Sequence, residues 1–362
     1  MKSHPAQAAL DGRRNPAGGV GRAGIDDVAR RAGVSISTVS RVLNGITSRA
    51  SVATAERVRQ AAAELDYRPA HLGQALRTNR TRLVALLIPD MSNAFYAAIA
   101  KSIEASLVES DYAMILCNTA EDPRVQDNYL AEMQAYHVRG IALLGAVASP
   151  GLAALKRRRV PIVYVNRKAP DGSGLFVGID NYAAGRDIAD HFLDEGHRDC
   201  AIIAGPSHSP ASRDRLAGYR DRLAERSAPL DPGYVVEAAL TMEDGHRAAT
   251  RLFERSPRPR AVFCGNDQIA YGTFRRCHEL GLAVPGDVAL FGFDDNPLNA
   301  WLAPWLSTVH APYEVFGPAV REALERVWAA LDGPMGVGDG PMEDGPTGEI
   351  LLPYSMVLRE SG

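Results

Sequence analysis

The sequence predicts an N-terminal all-α helix-turn-helix head, followed by an α/β body of two doubly wound parallel-sheet lobes. A chain of 362 residues is too long for one compact core. Residues 25–67 contain three short segments whose apolar residues recur at helical spacing. From residue 81 onward, nine apolar runs of strand length alternate with amphipathic segments, the pattern of parallel sheets with helices on both faces. Nine strands are too many for one sheet here, so we expect two lobes.

The predicted boundaries divide the chain into four parts. Residues 1–23 form a disordered tail rich in Gly, Pro, Ala and Arg, and residues 24–67 form the helix-turn-helix domain. Residues 68–80 are a hinge helix or linker, and residues 81–362 are the body. The tail has no apolar h-region, and no apolar run is long enough to cross a bilayer. We therefore expect a cytoplasmic protein with no membrane partner.

Charge is distributed unevenly along the chain. Residues 1–80 contain 13 Lys and Arg against 6 Asp and Glu, whereas the remainder contains 27 against 37. A basic head on an acidic body indicates that the head binds a polyanion such as double-stranded DNA. The alternative is a basic tail without a partner.

Enzyme and metal-site signatures are missing from the sequence. There is no G-x-G-x-x-G after the first strand, no P-loop and no G-x-S-x-G. The nine histidines are scattered, and the four cysteines have no metal-knuckle spacing, so buried thiols are expected. We predict a non-enzyme without cofactor or metal. The second alternative is a carbohydrate-binding protein that delivers its ligand elsewhere. The predicted DNA-binding head makes this alternative less favoured.

The head is predicted to contain three helices. In the first, Val28, Ala29 and Ala32 share one face, and Gly33 ends the helix in a left-handed conformation. Ser35 caps a second helix that runs to about Asn44. Its core residues are Val39, Val42 and Leu43. Ser51 caps a third helix, whose inward residues are predicted to be Val52, Ala55, Val58, Ala62 and Leu65.

The outer face of the second helix is suited to contact DNA bases. Exposed Ile36 fits a thymine methyl group, Ser37 can hydrogen-bond a base edge, and Arg41 can reach guanine or a phosphate. The alternative is a three-helix cap without a ligand. The predicted DNA-binding residues of the head are Ser35, Ile36, Ser37, Thr38, Ser40, Arg41 and Asn44.

The stretch "DVARRAGVSISTVSRVLNG" resembles the N-terminal signature of the LacI/GalR (lactose repressor) family of bacterial transcription factors. The resemblance implies a repressor whose Ile36, Ser37 and Arg41 enter the major groove of a pseudo-palindromic operator. Gly24 departs from the pattern, because the family usually has Thr or Ser there. The loop "ITSRAS" is one residue longer than usual, with Ala50 where valine is common.

The hinge segment contains a second predicted DNA contact. Pro69 can open a short helix, which Gly73 would weaken, so the segment is expected to order only on DNA. The resemblance implies that Leu76 wedges into a minor-groove base step and kinks the duplex. The alternative is a flexible linker whose Leu76 packs on the body.

In the body, polar and aromatic residues follow the predicted strands, where doubly wound folds bind ligands. Amides, carboxylates, guanidinium groups and rings suit a sugar, although loop capping explains any single residue equally well. The body also resembles the family and the periplasmic sugar-binding proteins. That resemblance implies that Arg215 and Asp294 clamp effector hydroxyls, Asn266 adds a contact, and Phe95 forms an apolar wall. The predicted effector-binding residues are Asn93, Phe95, Tyr96, Arg167, Arg215, Leu240, Asn266 and Asp294.

Three further expectations concern the rest of the body and the assembly. Leu240 stands where several relatives have an aromatic ring, and Asp180 and Asn181 are expected to hold the crossover between lobes. The Gly/Pro-rich stretch "DGPMGVGDGPMEDGPTG" precedes one last strand, "EILLPYSMVL". Because no long C-terminal heptad run occurs, we expect a homodimer that binds operator DNA and a small effector.

Overall fold

The computed structural model describes residues 23–43, 50–67, 81–332 and 347–362. The chain forms two compact units, Met1–Asn79 and Arg80–Gly362. Several predictions lie outside the described residues: nearly all of the tail, Asn44 and most of the loop after it, the hinge with Leu76, and the Gly/Pro-rich stretch.

The described residues of the head form three helices, as predicted: α1 (Ile25–Ala32), α2 (Ile36–Leu43) and α3 (Val52–Glu64). They bury one small core that includes Val28, Val39 and Val58. Gly33 is left-handed, with φ of 67°, and its N–H donates to the carbonyls at the end of α1. The predicted caps are confirmed, because the Ser35 and Ser51 hydroxyls accept from backbone N–H groups in the first turns of α2 and α3.

The prediction that Val52 lies in the core of the head is wrong. Val52 is 86% exposed. Val52 is the first residue of α3 and lies one turn before Ala55. At this end, α3 extends beyond the region where α1 and α2 pack against it. Helical spacing shows on which face of a helix a side chain lies. It does not show how far along the helix the neighbouring helices pack against that face.

The first lobe of the body is built on a six-stranded parallel sheet in the order β11-β5-β4-β3-β1-β2. Helices α4, α5, α6 and α12 belong to this lobe. The bounds are β1 Leu83–Ile88, α4 Ala94–Val108, β2 Ala113–Asn118, α5 Pro123–Ala135, β3 Gly140–Leu144, α6 Pro150–Arg157, β4 Ile162–Val165, β5 Leu175–Gly178, α12 Phe316–Asp332 and β11 Gly348–Leu351.

The second lobe has a four-stranded parallel sheet in the order β7-β6-β8-β9. A short antiparallel pair, β10 and β12, lies beside it. The bounds are α7 Asn181–Asp194, β6 Cys200–Ala204, α8 Pro210–Glu225, β7 Val235–Glu237, α9 Met242–Phe253, β8 Ala261–Cys264, α10 Asp267–Glu279, β9 Ala289–Phe291, α11 Asn299–Leu302, β10 Thr308–His310 and β12 Ser355–Val357.

The central strands of both sheets are buried on their two faces, which explains their continuous apolar runs. In β1, Leu86 and Ile88 face one core cluster while Leu87 faces another. In β6, Ile202 and Ile203 alternate in the same way. The four cysteines are buried free thiols, as predicted.

The prediction of one last strand is wrong. "EILLPYSMVL" forms two strands in different lobes: β11 pairs with β5, and β12 pairs with β10. Pro353 separates them, because proline has no N–H for a strand ladder. The partner β10 is only three residues long and was not predicted.

Helices α7 and α8 cross at a pair of glycines. A Cβ atom on Gly185 would lie 2.3 Å from the carbonyl oxygen of Arg215, and one on Gly218 would lie 2.0 Å from that of Tyr182. Only glycine permits so close a backbone approach. The contact fixes α8, and therefore Arg215, against the helix that begins at the lobe crossover.

Candidate functional site

The predicted DNA-contacting residues from Ser35 to Arg41 lie at the start and along the exposed side of α2. Ile36 is 51% exposed, and Ser35 and Ser37 are exposed beside it. The Ser35 hydroxyl lies 2.9 Å from the hydroxyls of Ser37 and Thr38, so these side chains form one small polar cluster. An exposed isoleucine next to hydroxyl groups gives this helix end both apolar and hydrogen-bonding character.

Arg41 lies along α2 with its guanidinium turned toward the same cluster. It donates to the Ser37 carbonyl at 3.0 Å and to the Ser37 hydroxyl at 3.3 Å. Ser40 is half-buried on the flank of the helix. The accessible hydrogen-bonding atoms and the exposed methyl groups of α2 therefore lie close together.

A cleft between the two lobes of the body contains a cavity of about 320 Å³. The first lobe contributes the ends of β1 and β2, and the second contributes the loops after β6 and β7. The lining residues are Pro89, Asp90, Asn93, Tyr96, Asn118, Ala120, Glu121, Pro206, Ala239, Leu240 and Thr241. A cavity of this size, with a few polar groups on apolar walls, suits a small molecule.

Arg215 is the centre of a buried polar network in the second lobe. Its Nε donates to Asn181 at 2.8 Å, and one Nη donates to the Gly265 carbonyl at 2.6 Å. The other Nη lies 3.7 Å from an Asp294 carboxylate oxygen. The guanidinium carbon lies 3.4 Å from the centre of the Phe293 ring. Burial lowers the pKa of Arg215 to about 10, although the Asp294 carboxylate opposes that shift.

Two buried carboxyls accompany this arginine. Burial raises the pKa of Asp294 to about 7 against the opposing effect of Arg215. Burial also raises the pKa of Asp267 to about 6, although Thr308 and the backbone N–H of Asn296 hydrogen-bond to its carboxylate. Asp294 has a φ of 106°, a costly conformation for a residue other than glycine.

Arg167 plays a similar part in the first lobe, where it is 3% exposed. It donates to the Tyr96 hydroxyl at 3.1 Å and pairs with Glu121 at 2.8 Å. Burial alone would lower the pKa of Arg167, but Tyr96 and Glu121 raise it overall. Burial raises the pKa of Tyr96 as well. The arginine therefore stays charged behind two groups that line the cavity.

The other predicted effector-binding residues are placed differently. The amide oxygens of Asn93 and Asn266 accept from backbone N–H groups at the starts of α4 and α10, which leaves their amide N–H groups as donors. Phe95 is 1% exposed and packs in the core edge-on to Tyr313. Leu240 lines the cavity.

Comparisons with known proteins agree with these observations. Residues 24–70 match "Bacterial regulatory proteins, lacI family", and residues 189–361 match "Periplasmic binding protein-like domain". The chain is 34% identical to the ribose operon repressor of Escherichia coli (strain K12) over 303 residues, 83% of this chain and 91% of that protein.

The chain belongs to the LacI family. Among solved structures, the transcriptional regulator CelR–cellobiose complex is 30% identical, with a TM-score of 0.68, and the match covers 94% of this chain and all of that one. The lac repressor dimer bound to operator and the anti-inducer ONPF has the same fold, with a TM-score of 0.80 at 24% identity over 94% of this chain and 99% of that one. The chain is a DNA-binding transcriptional repressor and not an enzyme. The predicted family and fold class are confirmed.

Several residues of this LacI-family cleft were not predicted, among them Glu121 and His208. Glu121 lines the cavity and holds Arg167, and His208 of the second lobe lies 3.4 Å from Glu121 across the cleft. The rule that ligands bind at strand ends also applies to β2, after which "NTAED" supplies Asn118 and Glu121. The predicted set does not include that strand end. His208 has no comparable signal in the sequence.

Two features are absent from the part of the chain that the structure describes. None of its helices combines the length and the apolar character needed to cross a lipid bilayer. Those same residues contain no group of three His, Cys, Asp or Glu side chains placed to hold a metal ion.

Proposed function

We propose that this repressor binds a pseudo-palindromic operator as a homodimer and that a sugar or sugar derivative, bound between the lobes, controls its affinity for DNA. The observation that carries the proposal is the interlobe cavity, whose residues come from both lobes. A ligand there contacts both lobes at once, so its affinity depends on their relative position.

The operator contacts proposed for the head are Ser35, Ile36, Ser37, Thr38, Ser40 and Arg41, with Asn44 and Leu76 as contacts beyond the described residues. Exposure of Ile36 supports this assignment, because a large apolar side chain on a soluble surface gains free energy when it contacts a thymine methyl group. Arg41 is placed to exchange its bonds to Ser37 for bonds to a base edge. Such binding occurs in the cytoplasm.

The effector contacts proposed for the body are Asn93, Tyr96, Arg167, Arg215, Leu240, Asn266 and Asp294, with Phe95 supporting Tyr96 from behind. A carboxylate, amide N–H groups and guanidinium groups match the hydroxyls of a sugar, which both donate and accept. The likeness to a ribose operon repressor and to a regulator solved with cellobiose supports a carbohydrate.

Dimerisation follows from the geometry of operator binding, because one helix-turn-helix head covers only half a site. Exposed apolar residues of the body support a self-association surface. Leu298, Trp301 and Leu302 lie in and beside α11, and Trp301 is 83% exposed. Exposed apolar residues of this size are unusual on a monomer and typical of interfaces.

Control of DNA binding follows from differential affinity. When the effector favours one arrangement of the lobes, it changes the separation of the two segments that lead to the heads. DNA affinity then changes by the ratio of effector affinities for the two arrangements. Either induction or corepression satisfies this linkage.

A thermal-shift screen tests the proposal. The full chain is heated with pentoses, hexoses, sugar acids, polyols, disaccharides and nucleosides, beside the Arg215→Ala variant. A ligand at a hundred times its Kd stabilises the folded state by about 2.7 kcal/mol. A stabilising sugar whose effect disappears in the variant supports the proposal. A hit that persists in Arg215→Ala moves the site elsewhere, and no hit contradicts a sugar effector.

A further inference from the structure

Glu121 is the only ion-pair partner of the buried Arg167 among the contacts of the described residues. Arg167 lies behind Glu121 and Tyr96, which both line the cavity, and is 3% exposed. An unpaired guanidinium at such a depth would carry a large desolvation penalty. The carboxylate of Glu121 removes that penalty, and it does so from the side that faces the ligand space.

A strained turn positions this carboxylate. Ala120 and Glu121 both have left-handed conformations, with φ of 52° and 55°, although neither is glycine. A left-handed conformation is costly for a residue with a Cβ atom, so two in succession are strained. The same carboxylate also approaches His208 of the opposite lobe at 3.4 Å. Glu121 therefore lines the cavity, pairs with Arg167 and approaches the second lobe at His208.

The two arginines that are buried among the described residues of the body each have a carboxylate partner within the protein. Each lobe supplies one buried arginine with its own carboxylate: Arg167 with Glu121 in the first, and Arg215 with Asp294 in the second. The residues that line the cavity, all of which are described, include no lysine or arginine, but they do include Asp90. An anionic ligand would thus meet the carboxylates of Asp90 and Glu121 at the cavity wall, while both buried arginines are already paired.

We propose that Glu121 is the specificity-determining residue that excludes anionic ligands from this cleft, because its carboxylate occupies the place on Arg167 that a phosphate or carboxylate group of a ligand would take. The class of effector that remains is an uncharged polyhydroxyl compound. This inference rests on the proposed function, since it assumes that the effector binds in this cavity. Beyond the proposed function, we infer that the effector is uncharged and that Glu121 determines this selectivity.

The test exposes Arg167 to the cavity and asks whether the cleft then binds an anion. Glu121→Ala removes the carboxylate and opens the guanidinium to the ligand space. Thermal unfolding midpoints of the full chain are measured against inorganic phosphate at constant ionic strength. The control is Glu104→Ala, which removes an exposed glutamate from α4 of the same lobe. Phosphate bound by the arginines of the head cancels, because the head is identical in all variants.

Phosphate is expected to raise the unfolding midpoint of Glu121→Ala more than that of wild type or Glu104→Ala, with a Kd about tenfold lower, as for one charged hydrogen bond. Should Glu121→Ala not fold, Glu121→Gln serves, since it keeps the size and removes the charge. Equal phosphate responses in wild type and variants would overturn the proposal, as would phosphate binding to the wild-type cleft. A silent sugar screen contradicts only the proposed effector, because this comparison uses no sugar.

Discussion

The guanidinium of Arg215 lies over the ring of Phe293, with 3.4 Å between the guanidinium carbon and the ring centre. Phe293 is fully buried, so the ring fixes one face of the arginine and leaves the edge for hydrogen bonds. Because Phe293 immediately precedes Asp294, one short segment sets the positions of both the cation and its carboxylate.

Phe293→Leu is predicted to weaken effector binding without removing a polar group. A cation–π contact is worth about 0.5–2 kcal/mol, which corresponds to roughly a twofold to thirtyfold rise in Kd. The matched control is Phe263→Leu, because Phe263 is equally buried and lies 6.4 Å from the Phe293 ring. Calorimetric titration with the sugar found by thermal shift measures the change. Equal losses in the two variants would assign the effect to core packing alone.

Effector affinity is predicted to depend on pH through Asp294. Burial raises the pKa of Asp294 to about 7, so this carboxyl is ionised at pH 8 and largely protonated at pH 6. The ionised form accepts hydroxyl hydrogen bonds at both oxygens, whereas protonation turns one oxygen into a donor and removes the negative charge. Affinity for a neutral sugar should therefore fall as the pH drops below about 7, by up to about tenfold per pH unit. Titrations between pH 5.5 and 8.5 measure this dependence.

The Asp294→Asn variant is the control for the pH prediction. Its affinity should be lower at pH 8 and nearly constant between pH 6 and pH 8. Because the pKa of Asp294 is higher in the folded protein than in the unfolded chain, the free energy of unfolding should fall as the pH rises from the unfolded pKa through about 7. Asp294→Asn cannot titrate at this position, so its free energy of unfolding should fall less over the same pH range. A wild-type pH profile that persists in Asp294→Asn would assign the titration to another group.

Ile36→Ala and Arg41→Ala are predicted to relax base discrimination by the head. Removing either side chain from a base edge should reduce the preference for operator over mutated half-sites by about 1–3 kcal/mol. Arg59→Ala is the control for removal of one positive charge, since Arg59 lies on α3 and pairs with Glu56. Anisotropy titrations on a set of half-site variants measure the preference. Unchanged preferences in both test variants would contradict base recognition by α2.

Gly185→Ala is predicted to destabilise the body by overpacking. The added methyl would lie 2.3 Å from the Arg215 carbonyl oxygen, so the two helices must separate. Overpacking of this kind costs about 1–3 kcal/mol. Gly286→Ala is the control, because its Cβ would lie 3.4 Å from the nearest atom and its backbone requires no special φ. Urea unfolding of both variants compares the two costs, and equal stabilities would contradict a tight helix crossing at Gly185.

Periodicity predicted much of this fold from the sequence. Spacing placed α1 and α2, and the apolar runs placed β1 to β9, because buried parallel strands carry few polar residues. The three-residue strand β10 was not predicted, since so short a run has no recognisable period. Val52 was predicted to be buried but is exposed, because helical spacing does not show how far the neighbouring helices pack along α3.

The candidate site was predictable where a residue lies in the loop or helix start after a strand. Asn93 and Tyr96, predicted from their place after β1, line the cavity, and Asp294 stays a prediction. Glu121 was not predicted, because its role depends on a left-handed turn that places its side chain against Arg167. The approach of His208 depends on how the two lobes face each other, which no local pattern in the sequence specifies.

The most direct test of effector-controlled repression is a DNA-binding titration of the full chain with and without the sugar found by thermal shift. Duplexes are first selected from a random pool by the protein itself, and binding is then followed by fluorescence anisotropy. We expect enrichment of two inverted half-sites and an effector-dependent change in Kd that is lost in Arg215→Ala, while that variant still binds DNA. An unchanged Kd at saturating sugar would contradict control of DNA binding through the cleft.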